Sequence, residues 1–196
     1  MRTLPGGSAW PAMEPAPFDT RQFRNALGRF ASGVTVITTC YQGHVHGMTA
    51  NAFVSVSLAP PLVLVSVDNR AAMHRLLPET GRYGISVLSE DQESLSNHFA
   101  GRTVEGLHIR FIDRLGVPLV EDAVAYFVVK VADAHPAGDH TLFIAQVEHF
   151  ESRDGRPLLF YSGRYQQVRP EKAKPTPWPQ DELSLFSIGN IDPPVT

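Results

Sequence analysis

Residues 43–67, GHVHGMTANAFVSVSLAPPLVLVSV, contain no Lys, Arg, Asp or Glu, yet Thr49, Asn51, Ser55, Ser57 and Ser66 are spread among their apolar side chains. Six valines with Thr49 and Phe53 favour strands over helices. Pro60-Pro61 lacks two amide donors and so ends a ladder, giving strands near 52–57 and 62–67. A buried strand has no use for so many hydroxyls, and a solvated one would normally show Lys or Glu. Such a surface suits a partner that is neutral, flat and rich in hydrogen-bonding groups.

The rest of the chain extends the β pattern. VTVITTCY (34–41) reads as a strand ending in a turn-like QGHVHG, and YGISVLS (83–89) as another. Strands follow at about 123–134 and 141–151, then PLLFYSG and RYQQV within 157–168. Three short helices are expected. The first is capped by Asp19 or Thr20, buries Phe23, Ala26, Leu27 and Phe30 on one face, and stops at Gly33. RAAMHRLLPE (70–79) is stopped by Pro78; SEDQESLSNHFAG (89–101) opens with Ser89 and Gln92 as a capping box and ends at Gly101. Residues 102–122 read as irregular. This balance predicts a mainly β fold, an antiparallel barrel whose closure removes exposed edges.

Of the sixteen prolines, four fall in residues 1–17 and six in 170–196. They predict irregular arms at 1–17 and 171–196 around one domain at 18–170. In the C-terminal arm Trp178, Leu183, Leu185, Phe186 and Ile188 offer an apolar face for a neighbour. The formal charge of −3 gives no electrostatic attraction to nucleic acid or an anionic membrane. No apolar run approaches the roughly 20 residues of a membrane helix. The first residues lack the apolar segment of a secretory signal, so the cytoplasm is the expected compartment. Cys40 is the single cysteine, which excludes an intrachain disulfide and a Cys-based zinc site; it is expected to be a small buried side chain.

Neither G-x-G-x-x-G nor G-x-x-x-x-G-K-[ST] occurs, so a nucleotide would need another surface. No G-x-S-x-G elbow supports a serine hydrolase. His44 and His46 are two strand positions apart but lack a closely spaced third ligand, and turn histidines are the simpler reading; no metal site is expected. In GDHT, His140 either projects from a barrel rim beside substrate or sits next to a turn capped by Asp139 and Thr141. TANAF provides Thr49 and Asn51 with Ala50 and Ala52 small enough for close backbone approach, and Phe53 as apolar support. Those groups match the edge and face of a flavin ring. Ser66, Asn69 and Arg70, at a strand-to-helix junction, would supply donors to its phosphate, joined by the first amides of the helix. Hydroxyl-rich strands also occur in plain β domains, and that reading stays open on residue types alone.

FRNALGRFASGVTVITT, HGMTANAFVSVSLAPPLVLVSV, NHFAG and AGDHTLFIAQV…LLFYSGRYQQV together resemble the flavin reductase family with the FMN-binding split-barrel fold. They are most similar to the reductase components of two-component phenol and 4-hydroxyphenylacetate monooxygenases. The resemblance spans about residues 21–168 and leaves the arms outside. It implies a Greek-key split β-barrel, usually homodimeric, that transfers hydride from NADH, with NADPH as the less favoured donor, to FAD or FMN. The reduced flavin would supply a partner monooxygenase. The likeness to phenol-hydroxylase reductases favours FAD. Carried over by position, Thr49, Ala50, Asn51, Ala52 and Phe53 would line the flavin ring with Ser55 close by. Ser66, Val67, Asn69, Arg70 and Met73 would hold the phosphate end, with Arg70 standing where relatives often have Lys. Phe99, Ala100 and Arg102 would close over the flavin, while His140 would meet the nicotinamide with Tyr165 near it. A non-catalytic flavin carrier or redox sensor on the same barrel is the alternative, and a pyridoxamine-phosphate-oxidase-like enzyme a more distant one.

Overall fold

A computed structural model gives the conformation of residues 19–102 and 104–168; the arms expected at 1–17 and 171–196 lie outside the described residues. Three helices, α1 (Thr20–Leu27), α2 (Ala72–Thr80) and α3 (Glu93–Phe99), accompany the strands. The strands are β1 (Ser32–Gly33), β2 (Thr35–Tyr41), β3 (His44–Ala50), β4 (Phe53–Leu58), β5 (Pro61–Asp68) and β6 (Arg82–Val87). They continue with β7 (Phe111–Arg114), β8 (Val117–Val120), β9 (Ala125–Ala137), β10 (His140–Ser152), β11 (Leu159–Tyr161) and β12 (Arg164–Gln166).

Seven strands form one antiparallel sheet in the order β3-β2-β6-β9-β10-β5-β4. The two edge strands, β3 and β4, are consecutive in the chain and joined only by Asn51 and Ala52. So short a tether forces the sheet to curl until its edges face each other, which makes a barrel with a split between β3 and β4. The chain lays down the β2–β3 hairpin, crosses the split to the β4–β5 hairpin, and returns through α2 to β6.

Alternation along each strand fills the interior. Val63, Val65 and Val67 of β5, Ile37, Tyr83, Ile85, Val129 and Phe143 pack with Met73, Leu76 and Leu77 of α2. Full burial of one such side chain contributes about 1.5–3 kcal/mol, enough to hold the nine-residue α2 against the barrel despite its length. A second cluster of Val34, Val36, Leu88, Val120 and Leu158 ties β11 and the start of β2 together.

Several sequence expectations need correction. The first helix is capped by Asp19, whose Oδ1 accepts from the amides of Arg21 and Gln22, but it ends at Leu27 rather than at Gly33. Gly28 closes it and its carbonyl accepts from Ser162 N at 2.8 Å, while Gly33 pairs with Leu159 in β1. Its apolar face is not buried: Phe23, Leu27 and Phe30 are 49%, 58% and 82% exposed. Residues 44–47 are strand, not turn. Gln42 and Gly43 both take positive φ (51° and 78°), so a two-residue turn suffices and β3 begins at His44. Leu115 and Gly116 make a second such turn, which turns part of the supposedly irregular 102–122 into the β7–β8 hairpin. Pro78 does not stop α2. It sits in the last turn, where its missing amide costs one bond, and Gly81 (φ 68°) ends the helix. The Gln92 side-chain Oε1 does accept from Ser89 N, but Gln92 itself is the N-cap and α3 starts at Glu93. Cys40 is exposed, because it lies at an outward position next to the hairpin end of β2.

Candidate functional site

The split is built from the residues the sequence singled out. Met48 and Ala50 face the core, so Gly47 and Thr49 face outward onto α3. The Ala50 carbonyl accepts from Thr35 Oγ1 at 2.7 Å, and the Ala52 carbonyl accepts from Ser66 N at 3.1 Å, which anchors the tether at both ends. Asn51 and Ala52 between these anchors are exposed. Phe53 turns inward onto Phe127, with ring centroids 5.7 Å apart. Ser55 is exposed beside an irregularity in the β4–β5 register between Ser55 and Ser57. Asn51 also opens onto a groove of about 530 Å³ between α1 and the β11–β12 hairpin, lined by Leu27, Phe30, Phe160 and the cations Arg24 and Arg29.

A second group gathers at the rim where β5 runs into α2. His140 pairs across the ladder with Asp68, and Leu142 with Ser66, so Ser66 and His140 share the outer barrel face. Val67 and Met73 alternate inward and are core residues, leaving only their backbone for a ligand. Arg70 is bidentate to Asp68, Nε to Oδ1 at 3.0 Å and Nη2 to Oδ2 at 2.7 Å, with its side chain 86% exposed. Those hydrogen bonds hold the Asp68 carboxyl well below the usual carboxylate range. They occupy two of the five guanidinium N–H donors and leave three free. His140 Nδ1 lies 2.7 Å from Asp139 Oδ1, which fixes the ring and leaves Nε2 open; the same contact lowers the Asp139 carboxyl. The first helical amides of α2 follow an Ala71 cap that offers no side-chain acceptor.

Phe99, Ala100, Arg102 and Tyr165 form a third group on α3 and β12, against the outer side of β3. The Phe99 ring lies over Gly47, where a Cβ would come within 2.5 Å of Cε1. Thr49 Oγ1 donates to the Ser96 carbonyl at 2.7 Å, Ser96 Oγ is 2.8 Å from the Tyr165 hydroxyl, and Asn97 Oδ1 accepts from Tyr165 and from Arg102 Nη1. Thr49 and Tyr165 thus spend their protons on α3. His140 stands with Ser66, Asn69 and Arg70, and the structure records no contact between it and this third group. The sequence assigns no role to Ser96, Asn97 or His74 and reads Thr141 only as a turn cap. Asn97 lies in NHFAG and Thr141 in GDHT, so both motifs carried part of the signal, whereas nothing local links Ser96 to Tyr165.

These features fit a flavin. The edge strands at the split have unpaired backbone groups, the exposed side chains there are short and neutral, and the free donors of Arg70, Ser66 and the start of α2 lie at one end. Two carboxylates beside Arg70 offset its charge, so its donor geometry rather than net charge favours an anion. Among the described residues no group of three or more His, Cys, Asp or Glu is placed to hold a metal ion. The profile described as flavin reductase like domain matches residues 27–169.

The chain belongs to the flavin reductase family.

This reductase is 54% identical over 148 residues to an NADH-dependent flavin reductase from a Rhodococcus species, covering 74% of this chain and 84% of that relative. It is 39% identical over 147 residues to the reductase component of 4-hydroxyphenylacetate 3-monooxygenase from Thermus thermophilus, covering 74% and 95%. The solved flavin reductase PheA2 superposes with a TM-score of 0.76 at 47% identity, covering 78% of this chain and 100% of PheA2. The mainly antiparallel split barrel and the reductase reading are both borne out, and the likeness supports an enzyme rather than the non-catalytic carrier.

Proposed function

We propose that the protein transfers a hydride from NADH, with NADPH as the less favoured donor, to FAD or FMN held across the β3–β4 split, and that the reduced flavin serves a partner monooxygenase. The observation that carries this reading is the continuity of the exposed, neutral tether Asn51-Ala52 with the donor cluster of Ser66, Asn69 and Arg70, joined by the Ser66 N to Ala52 carbonyl bond. Backbone groups of residues 50–52 and the Asn51 amide meet the ring edge, Phe53 supports the tether from inside, and Ser55 borders it. Ser66, Asn69, Arg70 and the amides near Val67 and Met73 hold the phosphate end. Phe99, Ala100 and Arg102 exclude water on the α3 side, with Tyr165 fixing α3 in place. The chemistry supplied by bound flavin is acceptance of a hydride from reduced nicotinamide, which needs no protein nucleophile. His140, oriented by Asp139, presents Nε2 to the nicotinamide carboxamide and positions it without moving a proton.

The protein acts as a cytoplasmic homodimer in this reading. Exposed Phe23, Leu27 and Phe30 on α1 and Val54, Val56 and Leu58 on the β4 edge support contact with a second copy. No helix among the described residues is long and apolar enough to cross a membrane. The domain is assigned to 18–170, with the Pro-rich arms outside it.

Anaerobic stopped-flow mixing with NADH and excess free FAD or FMN tests the activity. Reduction of many flavins per subunit is expected; reduction of bound flavin alone, or none, would overturn it. His140→Ala should raise KM for NADH more than it weakens flavin binding, and an unchanged KM would remove His140 from the site.

A further inference from the structure

A partly buried chain of hydrogen bonds runs from the barrel interior to the rim. Thr141 is 7% exposed, at an inward position of β10 opposite Val67. Its Oγ1 donates to Asn69 Oδ1 at 2.8 Å and lies 2.9 Å from His74 Nε2. His74 comes from the first turns of α2, and its ring sits edge-on to Phe143 with centroids 5.9 Å apart. A hydroxyl carries one proton, and Thr141 gives that proton to Asn69. His74 must therefore be the donor at Nε2, and Thr141 both accepts and donates.

In this order the Asn69 amide oxygen accepts from Thr141, so the amide NH2 group is turned away from Thr141, on an exposed residue next to Arg70. The backbone is pinned as well, with Asn69 N donating to the Asp139 carbonyl at 3.0 Å. A reversed amide would present an acceptor oxygen to an anion and repel it.

We propose that His74 is a positioning residue: acting through Thr141, it holds Asn69 as a hydrogen-bond donor to the flavin phosphate and so sets the preference for phosphorylated over unphosphorylated flavin. The inference rests on the placement of the phosphate end at Ser66, Asn69 and Arg70 given above. His74 touches no ligand in this arrangement. Its effect is confined to which face of the Asn69 amide meets the rim.

Equilibrium titrations by flavin fluorescence with FMN, FAD and riboflavin, which lacks a phosphate, provide the test. His74→Phe keeps the packing on Phe143 and removes the donor. It should weaken FMN and FAD binding about 3–10-fold, the worth of one neutral hydrogen bond, with riboflavin changed by less than about 2-fold. Thr141→Val should do the same, and His74→Gln, which retains an N–H donor, should restore most of the loss. Asn69→Ala should lower the same ratio, and adding His74→Phe to it should cost nothing further. Equal weakening of all three flavins by His74→Phe and Thr141→Val would make the pair merely structural and overturn the inference. A ratio lowered by Asn69→Ala but untouched by His74→Phe would overturn it while leaving the phosphate site in place. A ratio untouched by both Asn69→Ala and Arg70→Ala would instead remove the phosphate site, and the inference with it.

Discussion

Substituting Gly47 by alanine probes the contact that seats α3 on the split. Gly47 pairs with Thr38 in the β2–β3 ladder and does not take a positive φ, so only space demands glycine there. A Cβ would lie 2.5 Å from Phe99 Cε1, 2.6 Å from Cδ1 and 3.3 Å from Cζ. Ordinary contact begins near 3.4 Å, so the ring must withdraw by about 0.9 Å. Phe99 cannot retreat freely, because His98 and Phe111 hold it edge-on at centroid distances of 5.2 and 6.4 Å. Overpacking of this size costs about 1–3 kcal/mol, while alanine recovers about 0.5–1 kcal/mol of backbone entropy that glycine loses in a strand. The net expectation for Gly47→Ala is destabilisation centred on about 1 kcal/mol and at most about 2.5 kcal/mol, a fall in Tm of roughly 2–4 °C at the centre for a domain of this size. Urea denaturation of Gly47→Ala, Phe99→Leu and the double variant measures it. Shortening Phe99 relieves the clash, so the double variant should be more stable than the sum of the single effects by about 1 kcal/mol. A Gly47→Ala protein as stable as the parent, or strictly additive effects, would refute the reasoning.

At Gly84 a Cβ would meet Leu119 Cδ2 at 2.6 Å, the Pro118 carbonyl oxygen at 2.8 Å and Thr38 Oγ1 at 2.9 Å. The Pro118 carbonyl is backbone and is held by a hydrogen bond from Thr38, so it cannot yield; Gly84→Ala should cost about 3 kcal/mol or more, and a soluble variant with an unchanged urea midpoint would contradict this. Asp68→Asn removes the charge that engages Arg70 while keeping an acceptor for the Arg70 amide; it should tighten FMN binding about 2–10-fold and leave riboflavin unchanged in the same titration. Hydrogen bonds from Arg114 and then His149 pull the Glu151 carboxyl from 4.5 down to about 2. Its contribution to stability is therefore complete above pH 4.5 and lost as the pH falls from about 4.5 to 2. The urea midpoint of Glu151→Gln should accordingly fall less steeply than that of the parent across this window, and parallel curves would rule the contribution out.

The strands at 34–41, 83–89 and 141–151 were legible because β-branched and aromatic residues are frequent there and tertiary packing agrees with local preference. Two hairpins were not. Their turns use Gln42-Gly43 and Leu115-Gly116, each with one non-glycine residue at positive φ, and local composition gives little warning of that. The period of α1 was readable, but periodicity marks an apolar face without saying what covers it, and Phe30 stays exposed. At the site, residue types alone pointed to Thr49–Phe53 and to Ser66, Asn69 and Arg70. What each hydroxyl does was hidden, since Thr49 meets Ser96 from 47 positions away and Tyr165 meets it from 69. The inward turn of Val67 and Met73 follows from β5 register and α2 packing, which a motif does not encode.

The two-residue tether between β3 and β4 also acts as a gauge. Three Cα–Cα steps separate Ala50 from Phe53, so the aperture they span can never exceed about 11 Å, whatever the rest of the barrel does. An insertion of one residue would widen that limit by roughly 3.5 Å, and a deletion would narrow it by as much. Tether length is thus a coordinate along which this barrel can be tuned for thicker or thinner guests without touching a single core side chain.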